Sequence, residues 1–156
     1  HTLWWGGAGF LFGHATPEKK ALLDPGLAAA ADEGTKFSMH QYLAANAARG
    51  DYARRMRQFM ENYDLLLTPS LAVTAFNAGK LSPYADGSWT RWTPFTYPFN
   101  LTQQPAASVP CGRTREGLPV GLQIVGRHYD EWSVLQAAFA YETADPHVDD
   151  IPEGFA

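Results

Sequence analysis

The sequence predicts an α/β fold whose β-sheet is incomplete. Three stretches have the character of strands: LLL at residues 65–67, AASVPCG at residues 106–112 and VGLQIVGR at residues 120–127. Helical periodicities precede the first of these stretches and follow the last. Strands and helices in this order pack as layers, with helices lying on a sheet. The strands are too few to complete the sheet of such a fold.

Composition limits the classes of function. The chain has 156 residues, enough for one domain with a substantial core. Charged residues make up 18 %, below the usual quarter, so part of the surface is expected to be covered by something else. The formal net charge of −4, without a basic block, argues against a nucleic-acid partner.

The sequence also bears on the compartment. No apolar run approaches ~18 residues, so no membrane-spanning helix is predicted. Cys111 is the only cysteine, which rules out an internal disulfide and favours a reducing compartment, the cytoplasm. The chain opens with HTLWWGGAGF, without a Met or a signal-peptide pattern, so we expect a piece of a longer protein.

Residues 1–34 are predicted to form a peripheral N-terminal segment. Residues 1–14 mix large apolar side chains with four glycines, so they are expected to be flexible and to need a partner surface. A short helix follows, in which Asp24 is the N-cap, Pro25 is the first helical residue and Gly34 marks the end.

Residues 35–145 are predicted to carry the main α/β part of the chain, and residues 146–156 a tail. Ser38 and Gln41 match a capping box at the start of a helix from about Met39 to Glu61. The unbroken apolar run at residues 65–67 is typical of a strand that is buried on both faces.

The two later strands are predicted to pair as a hairpin across RTREGLP. Gly121 inside the second strand implies that a neighbouring group approaches it closely. Asp130 is placed to cap a closing helix, which we expect to pack back on the sheet. The residues at helical spacing in that helix are Trp132, Leu135, Gln136, Phe139 and Thr143.

The long connection at residues 71–99 is the candidate site. It shows no clear periodicity and is rich in aromatic residues, and loops of this length in compact domains tend to be functional. Trp92, Thr93, Phe95 and Thr96 are the candidates for a substrate pocket that takes an apolar or amide-bearing group. Packing of the same aromatic cluster into the core is the alternative.

No residue pattern predicts a metal or a cofactor. The five histidines lack the spacing of metal ligands, and those of HYDE (128–131) and HVDD (147–150) are expected to be solvated. Cys111 follows Pro110 in an apolar strand, so we expect a small buried residue rather than a nucleophile.

An ordered set of residues resembles the C-terminal portion of the amidase signature family. The stretches that carry the resemblance are YDLLLTPS (63–70), PFTYPFNLTQQPAASVPCG (94–112) and GLPVGLQIVGRHYDE (117–131). The positions given most weight are Asp64, Pro69, Thr96, Asn100, Pro105, Pro110, Gly112, Gly117, Leu118, Pro119, Gly121, Gln123 and Gly126. The resemblance is firm from about residue 59 to residue 143.

The resemblance implies an α/β/α sandwich with a large mixed sheet, present here only in part. It also implies amide hydrolysis by a lysine, a cis-serine and a nucleophilic serine. In the family those residues lie upstream of the matched region, and no position of this chain matches one of them. The chain alone is therefore expected to be inactive and to supply sheet scaffold and pocket wall. Asn100 and Gln123 are expected to satisfy buried backbone groups.

Two departures from the family pattern bear on the choice of substrate. In the glutamine-dependent amidotransferases of the family, an acidic residue tends to lie seven positions before the matching Asn, and this chain has Thr93 there. LTQQPA also replaces the usual LAGLPA-like turn. Both departures favour a stand-alone amidase acting on a small-molecule amide over the A subunit of a tRNA-linked amidotransferase.

A second class of function remains open. The chain could instead be a non-catalytic module that keeps this half of the fold for binding or assembly. In either case an orphaned sheet edge invites pairing with another copy, so the chain on its own is expected to self-associate.

Overall fold

A computed structural model describes residues 1–88 and 90–147 of the chain. Its helices are α1 (Thr2–Phe12), α2 (Pro17–Lys20), α3 (Pro25–Gly34), α4 (Met39–Met60), α5 (Tyr97–Thr102) and α6 (Glu131–Ala144). Its strands are β1 (Leu65–Pro69), β2 (Ala106–Arg113) and β3 (Pro119–Gly126). The chain divides into two compact units, His1–Tyr52 and Ala53–Ala156. The domain boundaries expected from the sequence stay a prediction.

The first unit is helical, and two of its helices, α3 and α4, start where the sequence predicts. Asp24 Oδ1 accepts hydrogen bonds from the backbone N–H of Gly26 (2.8 Å) and Leu27 (3.2 Å), which caps α3. Ser38 and Gln41 form the capping box of α4: Ser38 Oγ accepts from Gln41 N–H at 3.2 Å, and Gln41 Oε1 accepts from Ser38 N–H at 2.8 Å.

The prediction of a flexible segment at residues 1–14 is wrong. Residues 2–12 form α1, which packs closely on α3. The glycines permit this packing: a Cβ on Gly34 would lie 1.8 Å from the carbonyl oxygen of Trp5. The contact orders the segment, but Trp4, Phe10 and Leu11 remain exposed, so the expected need for a partner surface stays a prediction.

The second unit contains an antiparallel sheet with the order β1-β3-β2. The predicted hairpin of β2 and β3 is present, with Ser108 opposite Gln123, and β1 pairs with the other side of β3, with Thr68 opposite the same Gln123. The register of β2 shifts between Pro110 and Arg113, which is a bulge near the end of the strand.

One face of the sheet is apolar and covered by α6. Its core consists of Val109, Ile124 and Val134, with partly buried neighbours Leu65, Ala107, Leu122, Ala137, Ala138 and Tyr141. Asp130 Oδ1 accepts from Ser133 N–H at 3.2 Å, so the predicted cap of α6 is confirmed. The helix lies over β2 and β3.

The side of α6 that packs on the sheet differs from the expectation. Trp132, Leu135 and Phe139 are 69 %, 59 % and 73 % exposed, whereas Val134 is buried against the strands. The helix carries two apolar stripes, and the one with smaller side chains faces the sheet. Small residues allow a helix to approach a sheet more closely, which leaves the large aromatic stripe outside.

The prediction that β1 is buried on both faces is also wrong. Leu67 is 58 % exposed, because α6 packs on β2 and β3. The start of β1 is held by Arg127, whose Nε donates to the carbonyl oxygens of Met60 (3.2 Å) and Tyr63 (3.1 Å). Arg127 also pairs with Asp64 at 3.0 Å, so the end of α4 is fixed to the end of β3.

Candidate functional site

One end of the second face of the sheet is polar, and we call this part the polar face. It consists of Thr68, Ser70, Ser108, Gly121 and Gln123, which alternate along the strands with the residues of the apolar face. The other end of the second face is apolar, since Leu66 and Ala106 lie opposite the buried Val125. Ser70 and Ser108 lie on opposite sides of β3, and their hydroxyl oxygens are 2.6 Å apart. A Cβ on Gly121 would lie 2.6 Å from Ser70 Oγ and 3.0 Å from Ser108 Oγ. The close approach predicted at Gly121 is therefore made by two serine hydroxyls.

Gln123 connects the polar face to the long loop. Its side chain is 7 % exposed, and Nε2 donates to Thr68 Oγ1 at 2.9 Å and to the carbonyl oxygen of Phe95 at 2.7 Å. The expectation that Gln123 satisfies a buried backbone group is confirmed. The corresponding expectation for Asn100 is wrong, because Asn100 is exposed.

The four candidate pocket residues take different positions. Trp92 lines a cavity of about 530 Å³ together with residues 70–76 and 119–121. Phe95 offers its carbonyl oxygen to Gln123. The carbonyl oxygen of Thr93 accepts both the N–H of Thr96 (3.2 Å) and its hydroxyl (3.1 Å), which forms the turn before α5. Only Trp92 of the four thus lines this cavity, and substrate contact by any of them stays a prediction.

The cavity has an uncharged lining. Its residues are serine, threonine, glycine, proline, aliphatic residues and the aromatic pair Phe76 and Trp92, whose rings meet edge to face at 5.4 Å. Trp92 Nε1 is buried and has no hydrogen-bond acceptor among residues 1–88 and 90–147. A space of this kind suits an uncharged, largely apolar group.

Within the loop that leads to the cavity, Arg91 binds two neighbouring side chains. The guanidinium of Arg91 lies 4.0 Å from the centre of the Tyr84 ring, and its Nη1 donates to Asp86 Oδ2 at 3.0 Å. The backbone N–H of Ser88, and then the Arg91 side chain, lower the pKa of Asp86 below its usual range because both stabilise the carboxylate. Trp89 of the predicted aromatic cluster lies outside the described residues.

The turn after α5 contains a polar network that the sequence analysis did not predict. Thr102 Oγ1 donates to Gln104 Oε1 at 2.8 Å, and Gln104 Nε2 donates to the carbonyl oxygen of Gly126 at 3.0 Å. Thr102 and Gln104 are both buried. Between them Gln103 has φ = 60°, in the left-handed region. The replacement of LAGLPA by LTQQPA was the signal, since the glycine of that pattern falls at Gln103.

Replacing Gln103 with glycine is expected to stabilise the second unit. A non-glycine residue in the left-handed region costs roughly 1–2 kcal/mol, and glycine removes that cost. The matched comparison is with Gln103→Ala, which removes the same side chain but keeps the strain. Glycine also raises the entropy of the unfolded chain, and this offsets part of the gain. The free energy of unfolding in urea should be higher for Gln103→Gly than for Gln103→Ala by about 1 kcal/mol. Equal stability of the two variants would contradict this account of the turn.

Outside this site, Cys111 and the histidines are the residues that the sequence offers as candidates for chemistry. Cys111 is half-buried rather than fully buried, and its Sγ donates weakly to the carbonyl oxygen of Val120 at 3.5 Å. Within residues 1–88 and 90–147 no group of three His, Cys, Asp or Glu side chains is placed to hold a metal ion. HVDD lies mostly outside the described residues. Over the same residues, no helix has the length and apolar character needed to cross a membrane.

Comparison with known proteins identifies the group to which these features belong. The family model for amidases matches residues 16–135. An acylamidase of Rhodococcus erythropolis is 40 % identical over 114 residues, which is 69 % of this chain and 24 % of the relative. The A subunit of the glutamyl-tRNA(Gln) amidotransferase of Oceanobacillus iheyensis is 39 % identical over 95 residues, 58 % of this chain and 18 % of the relative.

A solved structure gives the same answer at the level of the fold. A bacterial aryl acylamidase of the amidase signature family superposes with a TM-score of 0.71 at 27 % identity, covering 92 % of this chain and 31 % of that structure. The chain thus spans about a quarter of the length of the acylamidase that it matches.

Proposed function

The chain belongs to the amidase family, and on that premise we propose that it forms the C-terminal part of an amidase that cleaves the amide bond of a small, largely apolar substrate. The catalytic lysine and serines belong to the remaining part of that enzyme. This chain supplies the sheet scaffold and one wall of the substrate pocket. In this proposal the enzyme works in the cytoplasm, as the single cysteine favours.

The observation that carries the proposal is the uncharged cavity beside Trp92. Its lining matches an apolar acyl or aryl group rather than the charged α-amino and α-carboxylate groups of free glutamine. The ring of Trp92, which meets Phe76 edge to face, gives this lining an aromatic part that suits an aryl group. Thr93 in place of an acidic side chain points the same way.

The second candidate function is that of the A subunit of a glutamine-dependent amidotransferase. It is favoured by the similarity to the protein of Oceanobacillus iheyensis. That function requires recognition of the amino group of glutamine, for which a carboxylate is the ordinary partner. The lining of the cavity contains no carboxylate, so we place this function second.

The test is a chimera in which this chain replaces the matching quarter of the Rhodococcus erythropolis acylamidase. We expect the chimera to hydrolyse an anilide, and the isolated chain to hydrolyse none. Within the chimera, Trp92→Phe replaces the indole with a smaller ring and so enlarges the cavity beside it, and KM or kcat should worsen several-fold. Trp132→Phe is the matched control, because Trp132 lies exposed on α6. A folded chimera that prefers glutamine to the anilide would favour the second candidate, and one without any activity would overturn the proposal.

A further inference from the structure

Two segments of the chain meet at the cavity beside Trp92. Residues 70–76 follow β1 directly and form what we call the first wall. Residues 92–96, which we call the return segment, bring Trp92 to the same cavity. Residues 77–91 separate these two segments along the sequence, so the distance between them is set by contacts in the fold.

Two contacts join the first wall to the start of the return segment. Ala72 N–H donates to the carbonyl oxygen of Trp92 at 3.4 Å, and the rings of Phe76 and Trp92 meet edge to face at 5.4 Å. The hydrogen bond is longer than the usual range of about 2.7–3.2 Å and is therefore weak. Both contacts involve Trp92, so they position only one end of the return segment.

Gln123 holds the other end of the return segment. Its Nε2 donates to the carbonyl oxygen of Phe95 at 2.7 Å and to Thr68 Oγ1 at 2.9 Å, which uses both N–H groups of the amide. A backbone carbonyl can only accept, so the nitrogen of the amide, and not its oxygen, faces Phe95. The hydroxyl of Thr68 donates to the carbonyl oxygen of Pro69 at 3.0 Å and is thus oriented to accept from Gln123. These bonds fix the orientation of the Gln123 side chain.

The place of Gln123 in the sheet makes this connection rigid. β3 is the central strand, and Gln123 pairs with Thr68 on one side and with Ser108 on the other. Gln123 is buried, so water does not compete for its hydrogen bonds. A segment held by a sheet is positioned more precisely than one held by loops alone. The distance from β3 to Phe95 is therefore set by the length of one glutamine side chain.

The remaining hydrogen bonds of the return segment give it a shape of its own. The carbonyl oxygen of Thr93 accepts from the N–H of Thr96 at 3.2 Å and from its hydroxyl at 3.1 Å. Both bonds lie within the segment, so they do not connect it to the sheet. The segment is thus expected to move as one piece when its connection to Gln123 is removed.

We propose that Gln123 determines the width of the cavity and so selects amide substrates by the size of their apolar group. Gln123 is a positioning residue: it does not line the cavity, but it holds Phe95 and thereby keeps Trp92 at a fixed distance from the first wall. A width fixed in this way admits an aryl group of matching size and disfavours a larger one. The inference rests on the proposed function, because it places the apolar group of the substrate in this cavity.

The first test is hydrogen exchange of the backbone amides in the chain, which does not depend on hydrolysis. Gln123→Met keeps the length of the side chain and removes its donor, so the return segment should move away from the first wall. We expect exchange at Ala72, whose N–H binds Trp92, to accelerate at least about fivefold more than exchange in α6. Exchange at Thr96 should follow α6, because its hydrogen bond lies within the return segment. Gln136→Met, at an exposed position of α6, is the matched control.

The second test is substrate selection by the chimera with the Rhodococcus erythropolis acylamidase. In the chimera, Gln123→Met should raise KM for acetanilide several-fold and change kcat by less than about twofold. The preference for acetanilide over its larger naphthyl analogue should fall at least about fivefold, because the wider cavity no longer disfavours the larger ring. A residue with a merely structural role would lower the activity on both substrates in proportion. That result, or an effect on kcat alone, would overturn the proposal.

A second pair of variants keeps the proposal open to refutation if Gln123→Met does not fold. Thr68→Val has the same shape but lacks the hydroxyl that orients Gln123, whereas Thr68→Ser retains a hydroxyl. Thr68→Val should change exchange at Ala72 and the substrate preference in the same direction as Gln123→Met, and Thr68→Ser should change neither. Identical behaviour of the two Thr68 variants would overturn the proposal. An inactive chimera would overturn the proposed function, whereas unchanged exchange at Ala72 in Gln123→Met would overturn only the role of Gln123.

Discussion

Replacing Gly34 with alanine is expected to separate α1 from α3 and to unfold much of the first unit. A Cβ at this position would lie 1.8 Å from the carbonyl oxygen of Trp5 and 2.6 Å from its carbonyl carbon. Both are backbone atoms, so no rotation of a side chain can relieve the clash. Overpacking of a side-chain contact costs typically 1–3 kcal/mol, and we expect about 3 kcal/mol or more here because a helix axis must move.

Hydrogen exchange of the backbone amides in α1 and α3 measures this loss directly. The matched control is Gly7→Ala in α1, where an added Cβ has no neighbour within 4 Å. Alanine in place of glycine inside a helix stabilises it by up to about 1 kcal/mol, so the control should slow exchange. If Gly34→Ala exchanged as slowly as the unchanged chain, the close packing of these two helices would be refuted.

Replacing Gln123 with leucine is expected to destabilise the second unit by about 2–3 kcal/mol. Leucine has nearly the same size but cannot donate a hydrogen bond. The hydroxyl of Thr68 and the carbonyl oxygen of Phe95 would both lose their bond to Nε2. Because the second of these bonds attaches the long loop to the sheet, amide exchange around Phe95 should accelerate more than exchange in β3.

The same chemical change at an exposed site provides the comparison. Gln136 lies exposed on α6, and Gln136→Leu should change the free energy of unfolding by less than about 0.5 kcal/mol. Urea unfolding of both variants separates the loss of hydrogen bonds from the general effect of replacing glutamine. Equal stability of Gln123→Leu and Gln136→Leu would mean that the loop is held by other contacts.

Local signals in the sequence predicted the parts of the fold that depend on neighbouring residues. Asp24, the pair Ser38 and Gln41, and Asp130 cap the helices that they were expected to cap. The hairpin of β2 and β3 was predictable for the same reason, since its turn and both strands lie within about twenty residues. In each case the chemistry that decides the structure lies within a few positions along the chain.

The wrong predictions share a different cause. They concern segments whose packing depends on contacts with residues far apart in sequence. The pattern of α6 contains one stripe with Trp132 and another with Val134, and only the shape of the sheet decides which one is buried. The glycines of α1 predict flexibility when read along the sequence alone, whereas in the fold Gly9 makes a close contact with Gly34, more than twenty residues away. Single-sequence patterns do not contain that information.

The candidate site was predicted in outline only. The aromatic content of residues 71–99 predicted a pocket in this loop, and Trp92 lies at a cavity, although substrate contact stays a prediction. The contribution of residues 70–76 and of the polar face went unpredicted, because Ser70 and Ser108 are brought together only by the pairing of both strands with β3. Such a pair of isolated serines has no signature in the sequence.

The turn at residues 102–104 bears on how the effects of substitutions at its three positions combine. Thr102 and Gln104 are hydrogen-bonded to each other inside the protein, so replacing either one alone with an apolar residue removes a bond that the other makes. Their effects on the free energy of unfolding are therefore expected to be non-additive. The backbone strain at Gln103 does not involve that side-chain bond, so the gain from glycine there is expected to be the same whether or not the pair is present.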